Sequence, residues 1–201
     1  MSKSRKIAIL AAARSVFLRY GYKRVSMNDI SEAAGTSRSA LYLDFKSKEE
    51  IFIAVVCDWV DETVAQIERE IAQSATPAAQ LDVAFELWAV RPFEMTIASP
   101  EVKELVECSF DFAQPAMRRG YRRFEAVIAP VLAAQAEQTA ATVTMDPERM
   151  AHVLTSAVQG FKHAATSPAE LRLLIADLLA LSVASTPSKS KGRSRTVTRS
   201  R

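Results

Sequence analysis

Between Ser4 and Tyr20, apolar side chains fall at Ile7, Leu10, Ala11, Val16 and Phe17, a one-sided stripe that predicts an amphipathic helix ended by Gly21. A second pattern begins at Ser26, a capping serine with Asp29 three residues on, and runs through Ile30, Ala33 and Ala34 to Gly35. It is about two turns long. Gly35 permits the left-handed backbone that a sharp reversal requires, and Thr36 or Ser37 can cap the helix after it. Residues 26–45 thus read as helix, tight turn, helix, with Ile30, Ala34, Leu41 and Phe45 as core. The run "SKEE" at 47–50 is a further capping box that opens a long helix through Ile51, Val55, Trp59, Val64 and Ile67.

Beyond residue 75 the punctuation is regular. "TP" at 76–77, "SP" at 99–100, "DP" at 146–147 and "SP" at 167–168 each put a capping side chain before a proline at the first helical position, where the missing N–H is harmless. These predict helices near 77–91, 100–113, 115–139, 147–164 and 168–184, the third kinked or broken by Pro130. In 147–164 the apolar positions are Met150, Val153, Leu154, Ala157, Val158 and Phe161; "LRLLIADLLALSV" near the end is apolar nearly all round and should be covered on several sides, by its own domain and by a second subunit. The fold class is all-α. Residues 1–46 form a small helical head, 47–184 a larger helical domain, and 185–201, with almost no apolar content, a disordered basic tail.

Composition agrees and adds a polarity. Apolar residues are 49% of the 201, glycines number five, and no apolar run reaches the ~20 residues of a membrane span, so a cytoplasmic protein is expected. Cys57 and Cys108 lie in apolar helical contexts without ligand spacing and read as reduced core thiols. The net charge of +3 hides a head (1–50) at +5, a body (51–184) at −8 and a tail at +6. Only the ends suit a polyanion. For the tail, added non-specific affinity for DNA and simple solvation are equally supported.

A helix-turn-helix lays its second helix in the major groove, its early residues at base edges. Here those are Ser37, Arg38, Ser39 and Ala40, of which Arg38 can donate twice to guanine; Tyr42, Lys46 and Lys48 sit at the flanks, where phosphates lie. The run from Ile9 to Phe52 resembles the N-terminal domain of the tetracycline-repressor (TetR) family. The matching features are Ala12-Ala13, Phe17, Gly21-Tyr22, Ser26, Ile30, Ala33-Ala34-Gly35, Ser37, Leu41-Tyr42, Phe45 and Ser47-Lys48-Glu49.

That resemblance implies about nine helices, a homodimer whose interface maps onto residues 147–184, a palindromic DNA operator, and a small-molecule pocket in the larger ligand-binding and dimerisation domain. It makes Ser26, Tyr42 and Lys48 phosphate contacts and puts Ser37, Arg38 and Ser39 at bases. Asp44 departs from the family, which often has an aromatic or histidine there. A carboxylate near phosphate is repelled, so it accepts from cytosine N4, pairs with Lys48 four residues on, or points to solvent; the Lys48 or local-helix role is favoured, since it requires no special docking.

For the effector, the middle helices supply Phe85, Trp88, Phe93, Phe110, Tyr121, Phe124 and other apolar groups, among which Trp88 and Phe110 are the selected contacts for a small, largely apolar molecule. His152 and His163, about three turns apart on one helix, are too distant for one metal and read as partly exposed polar residues. "RRGYRR" at 118–123 reads as a solvated or salt-bridged face. No metal or cofactor is expected, and the chain lacks the phosphate loops, nucleophile motifs and ligand spacings of an enzyme. The function expected is a dimeric transcriptional regulator, a repressor released by its effector; the alternative is an effector-independent architectural or assembly factor on DNA.

Overall fold

A computed structural model describes residues 3–106, 110–139 and 145–183. The basic tail and Cys108 lie outside the described residues. Among those described there is no strand, and nine helices follow one another: α1 (Lys3–Tyr20), α2 (Met27–Ala33), α3 (Arg38–Asp44), α4 (Lys48–Gln73), α5 (77–98), α6 (Pro100–Val106), α7 (Gln114–Thr139), α8 (Pro147–Ala164) and α9 (Pro168–Val183), with a 3₁₀ turn at Asp111–Ala113.

The caps do what the sequence asks of them. Ser26 and Asp29 form a reciprocal box at the start of α2, and the Ser37, Ser47, Thr76 and Asp146 side chains each accept the backbone N–H three residues on. Gly35 turns the chain between α2 and α3 with φ of 61°, a conformation that a side chain would strain. Ser37, not Thr36, is the cap of α3.

Three expectations need correction. The buried stripe of α1 is Ile9, Ala13 and Phe17, while Ile7 is exposed: the helix is rotated so that a strict i, i+4, i+8 line meets the head core. α5 does not stop near residue 91. It continues from Pro77–Phe85 through a π turn at Glu86–Val90 into Arg91–Ala98. The Arg91 N–H bonds back to the Glu86 carbonyl, and Pro92 lies at the start of the resumed α-helix, where no donor is required. Nor does Pro130 break α7, which is continuous across it. Its neighbours Ile128, Ala129, Val131 and Leu132 are all buried, and packing on both sides outweighs one lost backbone bond.

Two apolar clusters result. One holds Ile9, Phe17, Ile30, Leu41 and Phe45 of the head with Ile51, Phe52, Val55 and Val56 of α4, and is completed by Leu105, Ala113 and Ala116. The other gathers Ile67, Phe85, Phe124, Ile128, Leu154, Leu171 and Ile175. α4 runs through both. Against its middle, Gly120 lets α7 come close: a Cβ there would stand 3.0 and 3.1 Å from the two Val60 methyls.

Candidate nucleic-acid interface and inner cavity

α3 is two-sided. Leu41, Asp44 and Phe45 face the head core, while Ser37, Arg38, Ser39, Tyr42 and Leu43 are exposed, so the sequence-selected residues at the start of the helix share one outward edge. Ser37 is occupied as the cap, accepting from the Ala40 N–H, and its hydroxyl lies 3.1 Å from that of Ser39. The Arg38 guanidinium stands 5.7 Å from the Tyr42 ring, which props it outward. Ser26 and Lys46 are also exposed, with the Ser26 hydroxyl donating to Asp29.

Asp44 does not pair with Lys48 and does not reach solvent. Its side chain is fully buried and accepts a 2.6 Å bond from the Nε of Arg5, across 39 residues of sequence. The Arg5 guanidinium holds this carboxyl below the usual carboxylate range. The sequence contained a clue: Asp44 lies three residues after Leu41 and beside Phe45, on the inward face, where a charge survives only with a partner brought by another element. Arg5 is the partner of Asp44 that the sequence alone did not point to.

Lys48, expected at a phosphate, has two of its three donors engaged within the head. Its ammonium donates to the carbonyls of Tyr22 and Val25, both at 2.8 Å, and stands 4.1 Å from the Tyr22 ring, tying the start of α4 to the loop before α2. The Tyr22 hydroxyl donates to Glu49; burial first, then that carboxylate, push the phenol well up.

Below the head, α4 to α8 border a half-open cavity of about 40 Å³ lined by Trp59, Val60, Trp88, Pro92, Met117 and Tyr121, with Thr63 and Lys162 as its polar groups. Trp88 sits in the π turn of α5, stacked on Phe124 with ring centroids 4.6 Å apart. Phe110 is elsewhere. It packs against Tyr22, Phe52 and Phe112 at the junction of head and body, so the two aromatic residues selected for an effector are not on one cavity. Arg123 of "RRGYRR" forms an ion pair with Asp61 and Arg119 donates to the Cys57 sulfur, as expected of a salt-bridged face. His152 is exposed beside Glu125, and His163 is exposed. Among the described residues no group of three or more His, Cys, Asp or Glu side chains converges as a metal site, and no helix is long and apolar enough to cross a membrane.

This geometry, a three-helix head presenting one polar edge of a short helix above an all-helical body, defines a helix-turn-helix protein. Residues 9–55 match the family model described as "Bacterial regulatory proteins, tetR family", so the head is similar to the helix-turn-helix domain of that family. Over 82 residues it is 33% identical to the HTH-type transcriptional activator FasR of Mycolicibacterium smegmatis, covering 41% of this chain and 37% of that one. Over 116 residues it is 28% identical to the HTH-type transcriptional repressor KstR2 of the same species, covering 55% and 57%. The chain therefore aligns with less than two thirds of these relatives' length. The fold extends further: the transcriptional regulator FadR of Bacillus subtilis, solved in complex with stearoyl-CoA, superposes with a TM-score of 0.62 over 90% of this chain and 98% of its own, at 17% identity.

Proposed function

We propose that the protein is a dimeric, DNA-binding regulator of transcription that represses from a two-fold symmetric duplex site and is released by a small, largely apolar effector. The observation that carries this reading is the exposed edge of α3, with Ser37, Arg38, Ser39 and Tyr42 outward while Leu41 and Phe45 lock the helix into the head. Arg38 and Ser39 meet base edges; Ser26, Tyr42 and Lys46 meet phosphates. Dimerisation through α8 and α9 is supported by apolar groups left outward there, Val153, Leu173 and Leu181.

Effector control follows from what is shared between the halves. The α4 helix places Phe52 and Val55 in the head core and Trp59, Val60 and Thr63 on the cavity wall; in α6, Leu105 belongs to the head core and Val106 to the wall. A ligand that enlarges the cavity must push on helices that carry the head. At about 40 Å³ the cavity has room for one or two waters and not for a ligand-sized molecule, so binding requires it to open. The same small volume favours the second reading, an effector-independent DNA-binding factor with a filled core.

Selection of duplexes from a random-sequence pool tests the first claim. The expected product is an inverted repeat protected over two half-sites, and Arg38→Ala should weaken it by roughly 1–3 kcal/mol while changing random duplex little. Recovery of no preferred sequence sinks the reading. A reporter placed behind the selected site then gives the sign of regulation, and a thermal-shift screen separates the two readings, because a stabilising compound must also lower DNA affinity if release is the mechanism.

A further inference from the structure

At the C-terminal end of α3, the buried Asp44 gathers cations from the first turn of α1. Its Oδ2 accepts from Arg5 Nε, its Oδ1 is buried without a partner, and the Arg5 side chain keeps 39% of its exposure because only its Nε edge is engaged. Lys6, exposed, lies with its ammonium 5.4 Å from the ring of Phe45, and Lys46 is the next residue along. Three cationic side chains thus surround the end of the helix opposite Arg38.

We propose that Arg5 is a phosphate-binding residue of the DNA interface, held in place by Asp44 acting as a positioning residue, with Lys6 beside it on the same strand of the duplex. This rests on the DNA-binding reading above. A helix of seven residues spans only about 10 Å, less than the ~12 Å width of the major groove, so groups at its far end are within reach of the bordering phosphates. Without the bond to Asp44, the first turn of α1 would be held near the end of α3 only by the Lys6–Phe45 contact and the burial of Ile9 one turn on. The Arg5–Asp44 bond fixes it there, hides the carboxylate from the polyanion, and leaves the terminal NH₂ groups of Arg5 to donate outward. An aspartate that seemed opposed to DNA becomes the anchor of a cation that binds it.

The sign of one substitution separates this from mere repulsion. Asp44→Asn removes a negative charge beside the polyanion, and if that charge only repelled, affinity would rise. If it anchors Arg5, affinity falls. With the duplex selected by the wild type and with a random duplex, Arg5→Ala is expected to lose about tenfold on both and to lower the dependence of log K on log salt by about one for each head. Asp44→Asn should lose several-fold on both, and in the Arg5→Ala background it should add nothing further. Thermal melts taken alongside show whether each variant is folded at the binding temperature. Should Asp44→Asn not fold, the salt slope of Arg5→Ala decides alone, and an unchanged slope overturns the proposal, as does tighter binding by folded Asp44→Asn. If the wild type binds no duplex, the DNA-binding reading has failed; if the wild type binds, Arg38→Ala loses preference and Arg5→Ala binds as the wild type does, only this inference has failed.

Discussion

The head and the body of this protein are both helical, both have a core centred on phenylalanines, and both use the same capping devices, yet they present opposite surfaces. The head closes Phe17, Phe45 and Phe52 under a skin rich in serines, arginines and lysines, with Ile7 and Leu43 as scattered apolar side chains among them. The body encloses Phe85 and Phe124 but leaves a small half-open cavity between its helices and Leu173 and Leu181 outside. On the proposed function, the surface that reads a polyanion is finished within one chain, whereas one that meets a ligand or a second copy is finished only by what arrives. The two are nonetheless not separate bodies, because α4 crosses both cores and Leu105, Ala113 and Ala116 complete the core of the head.

The largest effect should come from cutting that shared structure. Phe52, fully buried, touches the rings of Phe17, Tyr22, Phe110 and Phe112. Phe52→Ala is expected to destabilise by about 3–5 kcal/mol and to lower a single cooperative transition in urea. Two separated transitions, with the second where the wild type unfolds, would show instead that the head melts alone.

Next in size is Gly120→Ala. Its Cβ would meet Val60 at 3.0 Å, between α7 and the middle of α4, and overpacking there should remove about 1–3 kcal/mol. Val60→Ala in the same chain should restore part of it, because the methyls in conflict are then gone. Because Gly→Ala in a helix interior by itself gains about 1 kcal/mol, a Gly120→Ala variant more stable than the wild type by that amount would mean that α4 and α7 shift apart freely, which the coupling of cavity to head requires them not to do without consequence.

How much of this was legible in the sequence follows the same division. The helix starts at 27, 38, 48, 77, 100, 147 and 168 were written in local capping chemistry, and the outward edge of α3 in the register of Leu41 and Phe45. These depend on residues within a turn of each other. The continuation of α5 past residue 91, the intact helix at Pro130 and the Arg5–Asp44 bond were not legible, since each is decided by contacts or backbone registers that short-range patterns do not contain. Trp88 and Phe110 illustrate the limit: similar aromatic residues in similar helices, one on the cavity and one at the junction.

Within the head, Ser37→Ala should remove about 1 kcal/mol of stability through loss of the cap on α3, whereas Ser39→Ala should leave the melt nearly unchanged. The comparison separates the two serines that the family resemblance treats alike. Equal loss of stability from both would show that the hydroxyl of Ser39 is structural too.

The smallest effect tests whether head and body answer together to acid. Asp29 in the head and Glu170 in the body perform the same task at a helix start. Asp29 accepts from the Ser26 backbone N–H, then its hydroxyl, and Glu170 likewise from Thr166, and these bonds hold both carboxyls below their ordinary values. A lowered folded-state pKa means that the stabilisation is complete above the unfolded value, about pH 4, and is lost as pH falls through the folded one. Asp29→Asn and Glu170→Gln should therefore melt slightly below the wild type at neutral pH and converge with it in acid. Because α4 joins the two cores, each substitution should move the same transition by a similar small amount, read from melts between pH 7 and pH 2. If only Glu170→Gln shifts the transition of the body while Asp29→Asn alters a separate early phase, the shared helix does not carry stability from one region to the other, and a ligand in the cavity has no rigid path to α3.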